Sequence, residues 1–205
     1  MIIGGKNMAD SGITKKALAS ALKELMSEKP FVSISVSEIC DKCDMNRKSF
    51  YYHFKDKEDL VNWIFDTEFV AVLQAEVIDE DKATLGERID YFTKVMKLFY
   101  DNRKFYKKAF LIEGQNSFNE HFRELTYPVF ARKIEMIYDD EEITDFQLSF
   151  FADSIIYSIR RWITSSQPMT PEEYTKQLLT CIVKPALHIS EEVKKELEKN
   201  KTEKK

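Results

Sequence analysis

The stretch from Ser35 to Leu60, SVSEICDKCDMNRKSFYYHFKDKEDL, leaves the backbone few choices. Val36, Ile39, Cys40 and Cys43 recur at spacings of three and four, which is one face of a helix. Ser37 is its expected N-cap, because a hydroxyl there can accept from the exposed N–H groups that follow. Asp44 falls where the chain must turn, and Asp is one of the few non-glycine residues that tolerates a left-handed backbone. Asn46 then caps a second, short helix with Phe50 and Phe54 on its inner face. Its outer face carries Arg47, Lys48, Ser49, Tyr51, Tyr52 and His53. Hydrogen-bond donors and planar rings on so short a helix suit a DNA major groove. The spacing therefore predicts a helix-turn-helix.

The run from Cys43 to Leu60, CDMNRKSFYYHFKDKEDL, resembles the signature of TetR-type transcriptional regulators over about 18 positions with its spacing intact. Two positions depart from it. Asp44 stands where the family usually has Gly, and Asn46 where it has Ser or Thr; both suit the local backbone. The resemblance implies a DNA-binding head in which Asn46, Arg47, Lys48, Ser49, Tyr51, Tyr52 and His53 enter or border the groove. Lys55 and Lys57 would then anchor the DNA backbone, and Ser35, with Thr14, would touch phosphates. A phosphate at Lys57 also makes physical sense, since the start of a helix favours an anion. A solvated lysine in a charged loop is the plain alternative.

Only 5 Gly and 5 Pro in 205 residues leave little room for sheet turns, so the chain is expected to be all-α. The expected architecture is a three-helix head on a helical-bundle body. Residues 1–12 are expected to be disordered, 13–60 to form the head, 61–190 the effector-binding and dimerisation domain, and 191–205 a charged tail. Thr14 is the expected cap of the first helix. A fourth helix from Lys57 to about Ile78 would join head to body. Pro128 predicts a kink, or two helices, in the stretch from Gln115 to Tyr138.

The net charge of −4 is unevenly placed. Residues 1–60 carry 10 Lys and Arg against 9 Asp and Glu, leaving 21 against 26 for the rest. Salt screens distant charge over roughly 8 Å, so the local surplus of Arg47, Lys48, Lys55 and Lys57 over Asp56 decides phosphate attraction. No apolar run is long enough to span a membrane, and MIIGGKNMADSG lacks the apolar region of a signal peptide, so a cytoplasmic protein is expected.

Catalysis finds little support. His53, His121 and His188 are scattered, and no nucleophile elbow, phosphate-cradling loop or dinucleotide fingerprint is present. Neither a cofactor nor a metal site is expected. Cys40-x-x-Cys43 has no second half to complete a zinc site, and both residues fall where a helix-turn-helix wants small apolar side chains.

Residues 143–165 are apolar nearly all round, and such a helix must be covered on every side. One face meets the body core and the other asks for a second subunit. Phe150, Ile155, Ile159, Trp162, Leu178 and Ile182 are the expected dimer interface. Ile159-Arg160-Arg161-Trp162-Ile163 followed by Ser166–Pro171 resembles the TetR-type branch that includes regulators of dihydroxyacetone kinase operons. That resemblance implies a homodimer built on the last two long helices, a palindromic operator in double-stranded DNA, and control by a small-molecule effector or a partner protein. Repression is the expected mode. Phe92, Phe99, Tyr106, Phe110, Phe122, Phe151 and Tyr157 would line an effector pocket, with Glu113, Gln115 and Asn116 as polar anchors. Aromatic residues at helical spacing are more often core, and that reading takes the larger share. The alternative to an operator-binding regulator is a helical protein-interaction adaptor or co-activator of the same fold.

Overall fold

In the computed structural model the described residues are 5–75, 83–114, 117–138 and 143–181, and they are all helix, turn and loop. The head comprises α1 (Gly5–Glu28), a single 3-10 turn (Phe31–Ser33), α2 (Val36–Lys42) and α3 (Arg47–His53). Helix α4 (Lys57–Ala75) leads into a body of α5 (Leu85–Asp101), α6 (Arg103–Ala109), α7 (Phe118–Tyr138), α8 (Asp145–Thr164) and α9 (171–181). The acidic linker 79–82, the turn 139–142 and the tail 191–205 fall outside the described residues, as do Gln115, Asn116 and Ile182.

Three boundaries differ from expectation. Helix α1 opens at Gly5, so residues 5–12 are helical where disorder was expected, and Thr14 lies inside the helix instead of capping it. The sequence explains this: between Gly5 and Gly12 nothing breaks a helix, and Lys6, Met8 and Ala9 favour one. At α2 the cap is Ser35, two residues before Ser37. A capping box decides it, since Glu38 lies three residues after Ser35 and binds back to its N–H and hydroxyl. The third is at α7, where of the two alternatives the break into two helices is ruled out, since a single helix runs through Pro128. The proline removes one backbone donor without ending the helix, and the Thr126 hydroxyl donates to the Phe122 carbonyl at 2.6 Å inside the core.

Helix α4 belongs to both parts of the molecule. Leu60, Val61 and Ile64 are buried in its first half, Phe65 and Phe69 in its second. Phe65 is fully buried, with ring centroids 6.1 Å from Phe99 of α5, 6.2 Å from Tyr106 of α6, and 5.5 and 5.3 Å from Phe118 and Phe122 of α7. One phenyl ring therefore stands at the meeting point of four helices.

Polar bonds fix the same junction. Glu68 of α4 accepts from Lys23 Nζ of α1 at 2.5 Å and from the Tyr106 hydroxyl of α6 at 2.8 Å. Lys23 also donates to Asn102 Oδ1 at 2.7 Å, at the α5–α6 corner. Burial and the neighbouring carboxylate push the Tyr106 hydroxyl well above its usual range, so it stays protonated and donates. Changing Glu68 to Ala strands the buried Tyr106 hydroxyl and leaves the Lys23 ammonium with Asn102 alone. The expected cost is about 1–3 kcal/mol of unfolding free energy in urea titrations, with Glu68→Gln losing less.

Helix α8 lies along α7 and buries Ala152, Ile155, Ile156, Ile159, Trp162 and Ile163. Trp162 stacks on Tyr174 of α9 with centroids 4.1 Å apart and donates its indole N–H to the Met169 carbonyl, tying down the loop before α9. Thr170 caps α9 and Pro171 occupies its first position, as the sequence predicts.

Candidate nucleic-acid interface

The turn before α3 is held as its residues require. Asp44 has φ 54, a left-handed conformation, and the Met45 N–H closes the end of α2 on the Cys40 carbonyl at 2.9 Å. Asn46 is extended, and its side chain accepts from the Ser49 N–H at 2.9 Å, starting α3 in register. Because φ is positive at Asp44, Asp44→Gly is expected to leave the Tm unchanged or raise it. Asp44→Ala should cost about 1 kcal/mol in thermal or urea unfolding.

From that start, helical geometry sorts the side chains. Phe50 is fully buried, with Phe54 packed 5.8 Å from it. Arg47, Lys48, Tyr51 and Tyr52 are exposed, Tyr52 at 82%. The Arg47 guanidinium lies 5.9 Å from the Tyr51 ring centroid, a cation placed beside an aromatic face. His53 stacks edge-on against Tyr52 at 4.9 Å; burial and then the Lys15 charge hold its imidazole below the usual range, favouring the neutral form. Lys15 itself sits 5.6 and 5.7 Å over Phe54 and Trp63. The sequence reading missed it, although its place one turn before the buried Leu18 and Ala19 of α1 was a usable signal.

Other members of the expected set have structural duties. Ser35 accepts from the Glu38 N–H and donates its own proton to the Glu38 carboxylate. That box, together with Lys29, lowers the Glu38 pKa to about 2, with the Lys29 hydrogen bond the largest cause. Ser49 turns its hydroxyl to Asn46 at 3.3 Å, and Lys55 is exposed at the start of the α3–α4 turn. Lys57 reaches inward: its ammonium donates to the Phe31 carbonyl at 3.0 Å and the Ile34 carbonyl at 2.9 Å, and it lies 4.3 Å over the Phe31 ring. Two of its three N–H donors are thereby used inside the head. Lys108 of α6 does the same from the body, donating to the Lys29 carbonyl at 3.0 Å.

Phe99, Tyr106, Phe110 and Phe122 are buried ring against ring, Phe92 and Phe151 are half-buried, and Tyr157 is 65% exposed on α8. An open cleft of about 450 Å³ lies between Pro30, Phe31 and Val32 of the head and Lys108, Leu111 and Ile112 of the body, and Glu113, one of the expected polar anchors, lines it. The expected dimer residues divide likewise. Ile155, Ile159, Trp162 and Leu178 are buried within the protomer, whereas Phe150 is 59% exposed beside Phe146 at 77%. Helical periodicity shows that 143–165 has two apolar faces without saying which one the protomer keeps. No group of metal-ligating side chains occurs among the described residues, and Cys40 and Cys43 have thiols pushed up by burial. No helix among the described residues is long and apolar enough to cross a membrane.

Known proteins share this arrangement. Residues 18–64 match the family described as bacterial regulatory proteins, tetR family, and residues 87–184 match a transcriptional regulator C-terminal region. The HTH-type dhaKLM operon transcriptional activator DhaS of Lactococcus lactis subsp. lactis is 32% identical over 150 residues, spanning 73% of this chain and 74% of that protein. The chain belongs to the TetR family. As a member it is a DNA-binding transcription regulator and not an enzyme, with the all-helical fold that its described residues display.

Solved TetR-family structures agree at the level of fold. One is described as the dihydroxyacetone kinase operon activator DhaS, with TM-score 0.60 and 23% identity over 85% of this chain and 96% of that one. A TetR regulator from Streptococcus agalactiae superposes at 0.65 with 22% identity over 86% and 97%. A TetR-family regulator from Syntrophomonas wolfei reaches 0.69 with 18% identity over 86% and 96%.

Proposed function

We propose that this TetR-family chain is a homodimeric regulator that grips a palindromic operator with one α3 helix in each of two successive major grooves. The observation that carries this is the outward face of α3, where Arg47, Lys48, Tyr51 and Tyr52 stand exposed on a helix capped by Asn46. Arg47 and Lys48 are the donors to base edges and phosphates, Tyr51 and Tyr52 border the groove, and Lys55 reaches the backbone. Ser35 and Lys57 bind within the head, and Asp56 takes the Asp59 N–H at the start of α4, so Lys55 is the backbone anchor of this turn.

The second copy covers the outer face of α8, where Phe146, Phe150 and Tyr157 are exposed. Light scattering should give twice the chain mass, and Phe150→Asp should give a monomer. The related Lactococcus protein is named an activator, so repression, implied by the signature alone, needs a direct test. A reporter behind a selected site, measured with and without the chain, fixes the sign. An effector or partner protein acts on the body and moves the head through α4.

Selection from a randomised duplex pool at two salt concentrations tests the whole reading. An enriched palindrome whose affinity falls with salt is the expected result. A clean dimer that enriches nothing overturns it in favour of a protein-interaction adaptor.

A further inference from the structure

Helix α4 meets the body through rings, through the Glu68–Tyr106 bond to α6, and through one ion pair to α7. His121 of α7 places Nε2 2.5 Å from Oδ1 of Asp66 on α4, with the two side chains 27% and 41% exposed. Asp66 directly follows Phe65, so the bond lies at the point where α4 passes from the head core to the body core. The imidazole stands edge-on to the Phe65 ring at 6.3 Å, on the rim of the aromatic cluster. Asn62, one turn before Asp66, has a buried side-chain oxygen without a hydrogen-bond partner among the described residues. Spaced four apart, Asn62 and Asp66 lie on one face of α4, and the polar groups of that face are incompletely satisfied among the described residues.

We propose that His121 and Asp66 form a proton-operated clasp between α4 and α7, closed while the imidazole carries both its protons, that adjusts the seating of the DNA-binding head with pH. The inference rests on the operator-binding function proposed above. Every charge acting on His121 is negative: Asp66 and Asp59 from α4, and Glu124 from its own helix. On the α8 side of α7, Arg123 is closed on Asp153 through two bonds of 2.7 and 3.1 Å and offers no competing cation. The Asp66 bond, ahead of the opposing effect of burial, raises the imidazole above its ordinary 6.5. A raised folded value means that the clasp contributes fully below 6.5 and is lost as pH rises through the folded value. The working window thus opens at 6.5 and extends upward, around neutrality.

NMR titration of the full-length protein tests this, with His121→Gln assigning the resonance among the three imidazoles. The His121 midpoint should lie above 6.5, fall in Asp66→Asn, and be followed by backbone amides of α3 and α4. Affinity for the selected duplex should change roughly fivefold across that midpoint and become flat there in His121→Gln. His53→Gln removes the separate titration of the α3 imidazole, which lies below the ordinary value. A His121 midpoint at or below 6.5, α3 and α4 amides that ignore it, or a pH profile unchanged in both clasp variants would overturn the proposal. Failure of the wild type to retain any duplex at any pH would remove the DNA-binding function, while the NMR titration still decides the clasp.

Discussion

Replacing Phe65 by Ala is expected to lower the unfolding free energy by about 3–5 kcal/mol, among the largest effects of any single substitution in this chain. The ring is fully buried and touches rings from α5, α6 and α7 as well as Phe69 of its own helix. A cavity here cannot close by moving one neighbour, because those neighbours also pack on each other: Phe99 lies 5.3 and 5.6 Å from Tyr106 and Phe122. Urea titration at unchanged slope is the measurement. Val32→Thr, at a side chain 83% exposed, serves as the control and should stay within about 0.5 kcal/mol of wild type. A loss under about 1 kcal/mol for Phe65→Ala would mean that the aromatic cluster is loosely packed.

The double substitution Arg47→Ala, Lys48→Ala is expected to reduce operator affinity by two to three orders of magnitude at moderate salt, at about 1–3 kcal/mol for each base-edge contact. Both side chains are exposed on α3, and neither supports the fold, whose cap and core in this helix are Asn46 and Phe50. The Tm and the dimer mass should therefore stay as in wild type. Salt dependence separates the two roles. Loss of a phosphate contact lowers the slope of log affinity against log salt by about 0.9, whereas loss of a base contact leaves it alone. Single variants read by fluorescence anisotropy at several salt concentrations assign each residue.

The head was largely legible in the sequence because its determinants are local. A cap, a left-handed turn and a pair of phenylalanines four apart act within a few residues, so Asp44, Asn46, Phe50 and Phe54 could be placed by spacing. Of the local misreadings, Ser37 for Ser35 came from weighing the serine alone without the glutamate three residues after Ser35, and Thr14 as a cap from not extending α1 back to Gly5. Lys57 shows where local reasoning stops. Its place at the start of a helix suggests an anion, but its partners, Phe31 and Ile34, lie 26 and 23 residues away. The body shows the same limit more strongly. Periodicity marked Ile155, Ile159 and Trp162 as buried, and only the packing of α8 on α7 and of Trp162 on Tyr100 and Tyr174 shows that the protomer itself buries them. Phe99, Tyr106, Phe110 and Phe122 read equally as core or as lining, since both uses want the same side chains.

The seating of the head on the rest of the molecule has a further consequence. Lys57 and Lys108 hold it by main-chain oxygens, those of Phe31, Ile34 and Lys29. A carbonyl is supplied by every amino acid, so this attachment is indifferent to the identity of the residues it grips. The 29–34 segment can drift in composition within what Pro30 and the buried Phe31 and Ile34 demand, while keeping its orientation. Recognition modules grafted between chains of this architecture would inherit this part of the attachment from the two lysines and would need redesign only where Lys23 meets Glu68 and Asn102.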